Sequence, residues 1–200
     1  KDLLISEMGK EYGIYFSILA LISNGMTSQS EIDSIIEKNT GAYLSNLHKI
    51  FNIIIPIRPL YAKETSRNIR WEITDCYLRF YFSFIYQNQN LIELGKYDLL
   101  KEIILKNYET FSGKTLEKYF TDKIKEEEQI TNIGSWWDKK SQNEIDIIAV
   151  NDLEKSCKIY EVKRKAEKIN LKVLENKISL FKQNIHNYNI QFFGLSMNDM

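Results

Sequence analysis

Hydrophobic residues recur at helical spacing in short segments near the amino end of the chain. One apolar face is formed by Ile14, Ile18, Leu21 and Ile22, and Asn24-Gly25 ends this first predicted helix. Ser28 and Glu31 have the spacing of a capping box, which marks the start of a second helix. A third helix is predicted to open at Gly41, with its apolar positions on one side. The pattern therefore predicts three short helices at the amino end.

The next segment has the pattern of a β-hairpin. Residues 53–56 are apolar, residues 63–68 form a polar turn, and residues 69–73 alternate between apolar and polar side chains. Three short helices followed by a hairpin are typical of a winged helix-turn-helix. We therefore predict such a unit over residues 1–75.

A winged helix-turn-helix binds DNA with its third helix in the major groove and its wing against the backbone phosphates. The residues predicted to make these contacts are Ser45, Asn46, Lys49, Arg58, Lys63, Arg67 and Arg70. The chain carries 27 basic and 27 acidic side chains, so its overall charge does not favour nucleic acid. Docking to a protein stays open as the alternative, because winged helices also serve that role and this third helix is weakly cationic.

The rest of the chain predicts connecting helices over residues 76–107 and a second unit over residues 108–200. The aromatic run of residues 77–86 is typical of a helix buried between two units. In the second unit, periodicity predicts a helix, three strands, a helix and a final strand, which is a small α/β sheet domain. The predicted strands cover residues 130–137, 144–150, 158–163 and 190–195, and the later helical face runs through residues 171–185.

Acidic residues on the predicted sheet and on its preceding helix form the candidate catalytic site. Glu117 projects from the apolar side of its helix toward the sheet. Glu144 and Asp146 share one face of the second strand, and Glu161 and Lys163 share one face of the third. Carboxylates beside a lysine at one sheet edge suit Mg²⁺ or Mn²⁺ chemistry on a phosphodiester. With 2 His residues and no Cys-x-x-Cys pair, any metal is expected to have oxygen ligands.

Each of these five residues has an expected role. We expect Asp146 and Glu161 to bind the metal, with Glu144 as an auxiliary ligand. Lys163 would position the attacking water, and Glu117 would orient that arrangement or reach a second ion. A salt-bridge ladder at a charged strand end stays open as the structural alternative.

The strand-borne Asp146 followed by Glu161-Val162-Lys163 resembles the motif of the PD-(D/E)XK nuclease superfamily. The core of that superfamily is helix, strand, strand, strand, helix, strand, and the resemblance covers residues 111–195. It implies a restriction-endonuclease-like αβββαβ domain after the winged helix, in a chain of α+β or α/β class. Some members carry Gln-x-x-x-Tyr on the later helix, whereas Gln183 and Tyr188 are one residue too far apart.

The whole chain also resembles the carboxy-terminal region of the archaeal-type prokaryotic AAA+ ATPases. The matching stretches are residues 71–80, 134–137, 143–150 and 160–163. In that family a winged helix follows the ATPase module and precedes a nuclease-like domain of unknown function. The resemblance implies an upstream ATPase module as a partner, in agreement with a chain that starts at Lys1 within a helix-like pattern.

Other features narrow the expected setting and cofactors. No stretch has the roughly 18 uninterrupted apolar residues of a membrane span, and Cys76 and Cys157 lie far apart in the sequence. We expect a cytoplasmic protein with no membrane partner. Gly113-Lys114-Thr115 resembles the end of a phosphate-binding loop, but Tyr108 occupies the position of its first glycine. No nucleotide site is therefore expected in this chain.

Two functions are compatible with these patterns. The first is a Mg²⁺- or Mn²⁺-dependent DNA phosphodiester hydrolase coupled to a DNA-binding winged helix. The second is a catalytically inactive regulatory module, in which the nuclease-like domain is a platform and the winged helix docks DNA or protein. Divalent-cation binding that depends on Asp146 separates the two hypotheses.

Overall fold

The computed structural model describes residues 2–139, 141–179, 181 and 185–200. Helices and two β-sheets make up its mixed α+β fold. The chain divides into two units, one of Lys1–Ile57 with Arg67–Lys106 and one of Arg58–Ser66 with Asn107–Met200. None of the helices in the described part of the chain is long and apolar enough to cross a membrane.

The first unit begins with a series of helices. They are α1 (Asp2–Met8), α2 (Tyr12–Ser23), α3 (Gln29–Ile36) and α4 (Gly41–Lys49). The predicted capping box is confirmed, because Ser28 Oγ accepts from the Glu31 N–H and the Glu31 carboxylate accepts from the Ser28 N–H. Asp33 holds the turn between α3 and α4, since its carboxylate accepts from the Thr40 N–H at 2.7 Å and from Thr40 Oγ1 at 2.6 Å.

Strands β1 (Ile54–Ile57) and β2 (Arg70–Ile73) form the predicted hairpin as an antiparallel pair. The core of the first unit gathers fully buried side chains from α2, α4 and β1, including Phe16, Leu44 and Ile54. Helices of this length are marginal in isolation, so burial of their apolar faces is what stabilises them.

The segment that connects β1 to β2, residues 58–66, belongs to the second unit. Within that unit the Leu60 N–H donates to the Ser135 carbonyl at 2.8 Å, and the ring of Tyr61 stacks on that of Phe181. The first unit was predicted to cover residues 1–75, but residues 58–66 belong to the second unit, because their apolar side chains pack there.

The aromatic segment after β2 is not one continuous α-helix. Helix α5 (Cys76–Phe80) is followed by a π-helical turn (Tyr81–Ile85), a 3₁₀ turn (Tyr86–Asn88) and α6 (Gln89–Glu93). Phe82 is fully buried in the core of the first unit and meets Phe16 edge to face, with ring centroids 5.3 Å apart. The predicted connecting helices are present here as short segments of different helical type, which periodicity does not distinguish.

Helix α7 (Tyr97–Glu127) is continuous over 31 residues. The sequence predicted a connecting stretch and then a separate helix, but residues 106–109 continue the same helix. Gly113 therefore lies within a helix and not in a loop that follows a strand. This agrees with the sequence argument against a phosphate-binding loop at that place.

The described part of the second unit contains a sheet with the strand order β3–β4–β5–β6. Its strands are β3 (Asn132–Trp137), β4 (Glu144–Asn151), β5 (Ser156–Val162) and β6 (Asn189–Leu195). Strands β3, β4 and β5 pair antiparallel, and β6 pairs parallel to β5. Helix α7 packs on one face of the sheet through Leu116, Phe120 and Ile124.

Helix α8 (Leu171–Ile178) packs on the other face of the sheet through Leu174 and Ile178. The order helix, three strands, helix, strand agrees with the order predicted from periodicity. The helix ends at Ile178, earlier than predicted. Phe181 and Ile185 are buried in the same cluster as α8 but are not helical. Gln183 lies outside the described residues.

Candidate active site

Two carboxylates and one lysine come together where β4 begins and β5 ends. Lys163 Nζ lies 3.2 Å from Asp146 Oδ2 and 3.5 Å from Glu161 Oε1. It also donates to the Val162 carbonyl oxygen at 3.2 Å. Oxygen atoms of three residues thus surround one ammonium group. The structure brings together three of the four residues that the sequence assigned to catalysis.

Backbone N–H groups fix both carboxylates. The Val162 N–H donates to Asp146 Oδ2 at 2.8 Å, and the Asn170 N–H donates to Glu161 Oε2 at 2.7 Å. Asn170 is also the N-cap of α8, where its side chain accepts from the Val173 N–H. Glu161 is 8% exposed. These contacts supply hydrogen bonds that a buried carboxylate requires.

A β-bulge turns the start of β4 relative to the rest of the strand. Gly134 lies opposite Ile148 and Trp136 lies opposite Ile145, so three residue steps of β4 match two of β3. Ile145 and Ile148 consequently pack in the same α8-side cluster, although strict alternation would place them on opposite faces. The residues on either side of Ile145 are thereby assigned to the face toward α7.

Glu144, next to Ile145, reaches α7 through Lys114. Lys114 Nζ lies 2.7 Å from Glu117 Oε2 and 3.5 Å from Glu144 Oε1. From α8, Lys177 Nζ donates to the Glu144 carbonyl at 3.1 Å. Lys114 was not predicted as a site residue, because in the sequence it stands in the stretch that resembles a phosphate-binding loop. The available signal was its position three residues before Glu117 on a helix, where side chains are neighbours.

Burial and neighbouring charges shift the pKa values in this cluster. Desolvation is the largest cause of the raised pKa of Glu117; Lys114 opposes the rise, and the Asp146 carboxylate adds to it. Desolvation opposes the charged form of Lys114, but the nearby carboxylates outweigh it and raise the pKa. Desolvation is likewise outweighed at Lys163, where Asp146 and Glu161 raise the pKa. Shifted groups collected in one place are a mark of functional sites.

The predicted metal ligands fall into two ion-paired groups. Asp146 and Glu161 share Lys163, whereas Glu144 shares Lys114 with Glu117. Within the described ranges, no three His, Cys, Asp or Glu side chains are grouped so that they could hold a metal ion. A lysine lies between the carboxylates in both groups.

The predicted DNA contacts on α4 differ in their surroundings. Asn46 Nδ2 donates to the hydroxyl of Tyr15 at 2.9 Å, which gives Asn46 a structural role in the first unit. Ser45 is half-buried, and Lys49 is exposed. Lys49 is therefore the best placed of these residues to meet a phosphate.

The predicted wing residues are divided between the two units. Arg58 and Lys63 belong to the second unit, and Arg67 and Arg70 belong to the first. Lys63 and Arg67 are exposed, whereas Arg70 is half-buried. Arg58 Nε is buried and has no hydrogen-bond partner among the described residues. All four were predicted to contact DNA together, and the structure does not group them in one unit.

Comparison with known proteins assigns the chain to a family. Residues 81–189 match the model of the DUF234 family, described as archaeal and bacterial proteins of unknown function. This match covers more than half of the chain, and the chain belongs to this family. The matched range includes Glu117, Asp146, Glu161 and Lys163.

A longer archaeal relative is similar over most of this chain. The uncharacterized protein MJECL04 of Methanocaldococcus jannaschii is 30% identical over 174 residues. The similar region covers 82% of this chain and 38% of the relative, so the chain spans less than half of that protein. No solved structure matches the chain.

Proposed function

We propose that the second unit is a PD-(D/E)XK-type domain that hydrolyses DNA phosphodiesters with Mg²⁺ or Mn²⁺. The observation that carries this proposal is the convergence of Asp146, Glu161 and Lys163 at the ends of two neighbouring strands. The order of helices and strands around them supports the same assignment. A fold alone does not define an activity, so the argument depends on these three side chains.

The oxygen atoms around Lys163 Nζ are chemically suited to a hard divalent cation. Asp146 and Glu161 offer carboxylate oxygens, and Val162 offers a carbonyl oxygen. A cation held by these residues would polarise the phosphate and make a bound water more acidic. Lys163 lies among the same oxygen atoms, so its ammonium group and a bound cation compete for them. Its side chain is 36% exposed and therefore has access to solvent.

The remaining charged side chains have supporting roles in this proposal. Lys163 holds the attacking water and balances negative charge at the phosphate. Glu117 orients this arrangement or reaches a second ion, and its raised pKa means that it keeps a proton more readily than an ordinary glutamate does. Glu144 is the auxiliary ligand, linked to α7 through Lys114.

We propose that the first unit is a winged helix-turn-helix that binds DNA. Helices α2, α3 and α4 followed by the β1–β2 hairpin support this assignment. The exposed Lys49 and Arg67 are the residues best suited to contact phosphates. An ATPase module elsewhere in the whole protein is also part of the proposal, supported by the resemblance to AAA+ ATPases and by the greater length of the relative.

The test is cleavage of supercoiled plasmid and branched DNA in the presence of Mg²⁺ or Mn²⁺. We expect cleavage by the wild type and a rate lower by roughly 100-fold or more in Asp146→Asn and Lys163→Ala. Asp122→Asn is the matched control, because the Asp122 side chain on α7 is 47% exposed and makes surface ion pairs. Circular dichroism checks that each variant is folded. Equal cleavage by Asp146→Asn and the control would contradict the proposed site.

One observation favours a second candidate, a catalytically inactive regulatory platform. Lys163 already forms ion pairs with both Asp146 and Glu161, and the part of the chain that the structure describes holds no group of three metal-binding side chains. This candidate predicts no divalent-cation binding in the millimolar range. It also predicts that Asp146→Ala leaves DNA or protein binding unchanged, whereas charge reversal at Lys63, Arg67 and Arg70 weakens it.

A further inference from the structure

A close contact beside the candidate site requires a glycine at position 194. In the parallel β5–β6 pair, Gly194 lies opposite Glu161. A Cβ atom on Gly194 would lie 2.5 Å from Ile169 Cγ2 and 2.9 Å from Ile169 Cδ1, which is closer than real Cβ contacts allow. Gly194 has no positive φ. Space, and not backbone conformation, therefore explains the glycine.

The side chain that fills this space directly precedes a hydrogen-bond donor of the site. Ile169 is followed by Asn170, whose N–H donates to Glu161 Oε2 at 2.7 Å. The contact of Ile169 with β6 therefore sets how closely the Asn170 N–H approaches the end of β5. The other oxygen of the Glu161 carboxylate lies 3.5 Å from Lys163 Nζ. The direction of this oxygen depends on Oε2 of the same carboxylate, which accepts the hydrogen bond from the Asn170 N–H.

We propose that Gly194 is a positioning residue of the candidate site. It allows Ile169 to pack on the backbone of β6, and this packing places the Asn170 N–H so that the Glu161 carboxylate is held toward Lys163. A side chain at position 194 displaces Ile169 and releases the carboxylate. The expected effect of Gly194 on metal affinity rests on the proposed function. The effect of Gly194 on the placement of the Asn170 N–H does not depend on that function.

Three variants test the packing. Gly194→Ala adds the methyl group that displaces Ile169, and Ile169→Ala removes the side chain that fills the space. In the double variant the two small side chains share the space, because Ile169 Cβ lies 3.4 Å from the added Cβ position, near ordinary van der Waals contact. Gly13→Ala is the matched control, since a Cβ at that position meets no atom within 4 Å beyond its chain neighbours and the backbone of its own helix.

The first readout is hydrogen–deuterium exchange of the Asn170 amide by NMR. The amide of Ile159, a fully buried residue of β5, is the internal reference for changes in overall stability. We expect Asn170 exchange to be about tenfold faster relative to Ile159 in each single variant, and close to wild type in the double variant and in Gly13→Ala. Unchanged exchange in Gly194→Ala, or no recovery in the double variant, overturns the proposal.

The second readout is Mn²⁺ affinity by calorimetry. Loss of a residue that orients a metal ligand lowers metal affinity by roughly 10- to 100-fold, so we expect this loss in the single variants and its recovery in the double variant. If Gly194→Ala does not fold, the comparison of Ile169→Ala with the double variant decides the proposal. The expected exchange pattern without Mn²⁺ binding by any variant would retain the positioning role and contradict the proposed metal site.

Discussion

Replacement of Lys163 by methionine removes the cation between Asp146 and Glu161 while keeping a side chain of similar length. The wild-type ammonium lies 3.2 Å from Asp146 Oδ2 and 3.5 Å from Glu161 Oε1. These two side chains are 15% and 10% exposed, so water compensates them poorly once the lysine is gone. We therefore expect the variant to be less stable than the wild type at neutral pH.

The size of this effect follows from distance and exposure. Two unit charges about 3 Å apart attract by roughly 5 kcal/mol at an effective dielectric constant of about 20. Desolvation and the 36% exposure of Lys163 reduce the net contribution, so we expect the free energy of unfolding to fall by about 1–2 kcal/mol. The raised pKa of Lys163 means that its contribution is complete below the ordinary value of 10.5 and is lost as the pH rises through the folded-state pKa.

Urea unfolding at pH 7 measures the loss. The matched control is Lys118→Met, which removes an ion pair with Asp122 at 3.1 Å between side chains that are 54% and 47% exposed. An exposed pair of this kind contributes about 0–0.5 kcal/mol. An equal change in the two variants would show that Lys163 is no more important to the fold than a surface lysine.

Three further predictions concern other residues. Glu117→Gln should be more stable than the wild type to urea at pH 7, because a raised pKa means that ionisation of Glu117 costs stability. This advantage should vanish below the ordinary pKa of 4.5, and its persistence at that pH would contradict the assignment. Asp33→Ala should lower the free energy of unfolding by about 1–2 kcal/mol, because the hydrogen bonds from Thr40 outweigh desolvation and lower the pKa of Asp33. This stabilisation is present above the ordinary pKa of 3.8 and is lost as the pH falls through the folded-state pKa. A difference between the variant and the wild type that persists at lower pH would contradict this prediction. Charge reversal at the exposed Lys49 and Arg67 should lower the slope of DNA affinity against salt concentration by about two phosphate contacts. Fluorescence anisotropy measures this slope, and an unchanged slope would exclude these residues from the interface.

Local patterns in the sequence were sufficient to predict the elements that carry the site. The capping box of Ser28 and Glu31 and the order of elements in the second unit follow from short-range spacing, and both are confirmed. Asp146, Glu161 and Lys163 come together because β4 and β5 are neighbours in an antiparallel pair. A strand, a turn and the next strand are close in sequence, so their pairing is accessible to sequence reasoning.

The features that the sequence did not predict depend on contacts between distant segments. The bulge near Gly134 becomes visible only in the pairing of β3 with β4, and it breaks the alternation on which face assignments rest. Gly194 and Ile169 are far apart in the sequence, so their contact was not predictable from local spacing. The same is true of residues 58–66, which group with the second unit although they lie between the strands of the first. The contact from Lys114 to Glu144 likewise spans 30 residues. Helical spacing could predict only the contact of Lys114 with Glu117 on the same helix.

Calorimetric titration of Mn²⁺ into the wild type and Asp146→Ala tests the central proposal most directly. Asp146 shares Lys163 with Glu161 at the position proposed for the cation. We expect saturable binding by the wild type and loss of that binding in a folded Asp146→Ala variant. No binding by the wild type in the millimolar range, or equal binding by both proteins, would contradict the metal site and favour the regulatory platform.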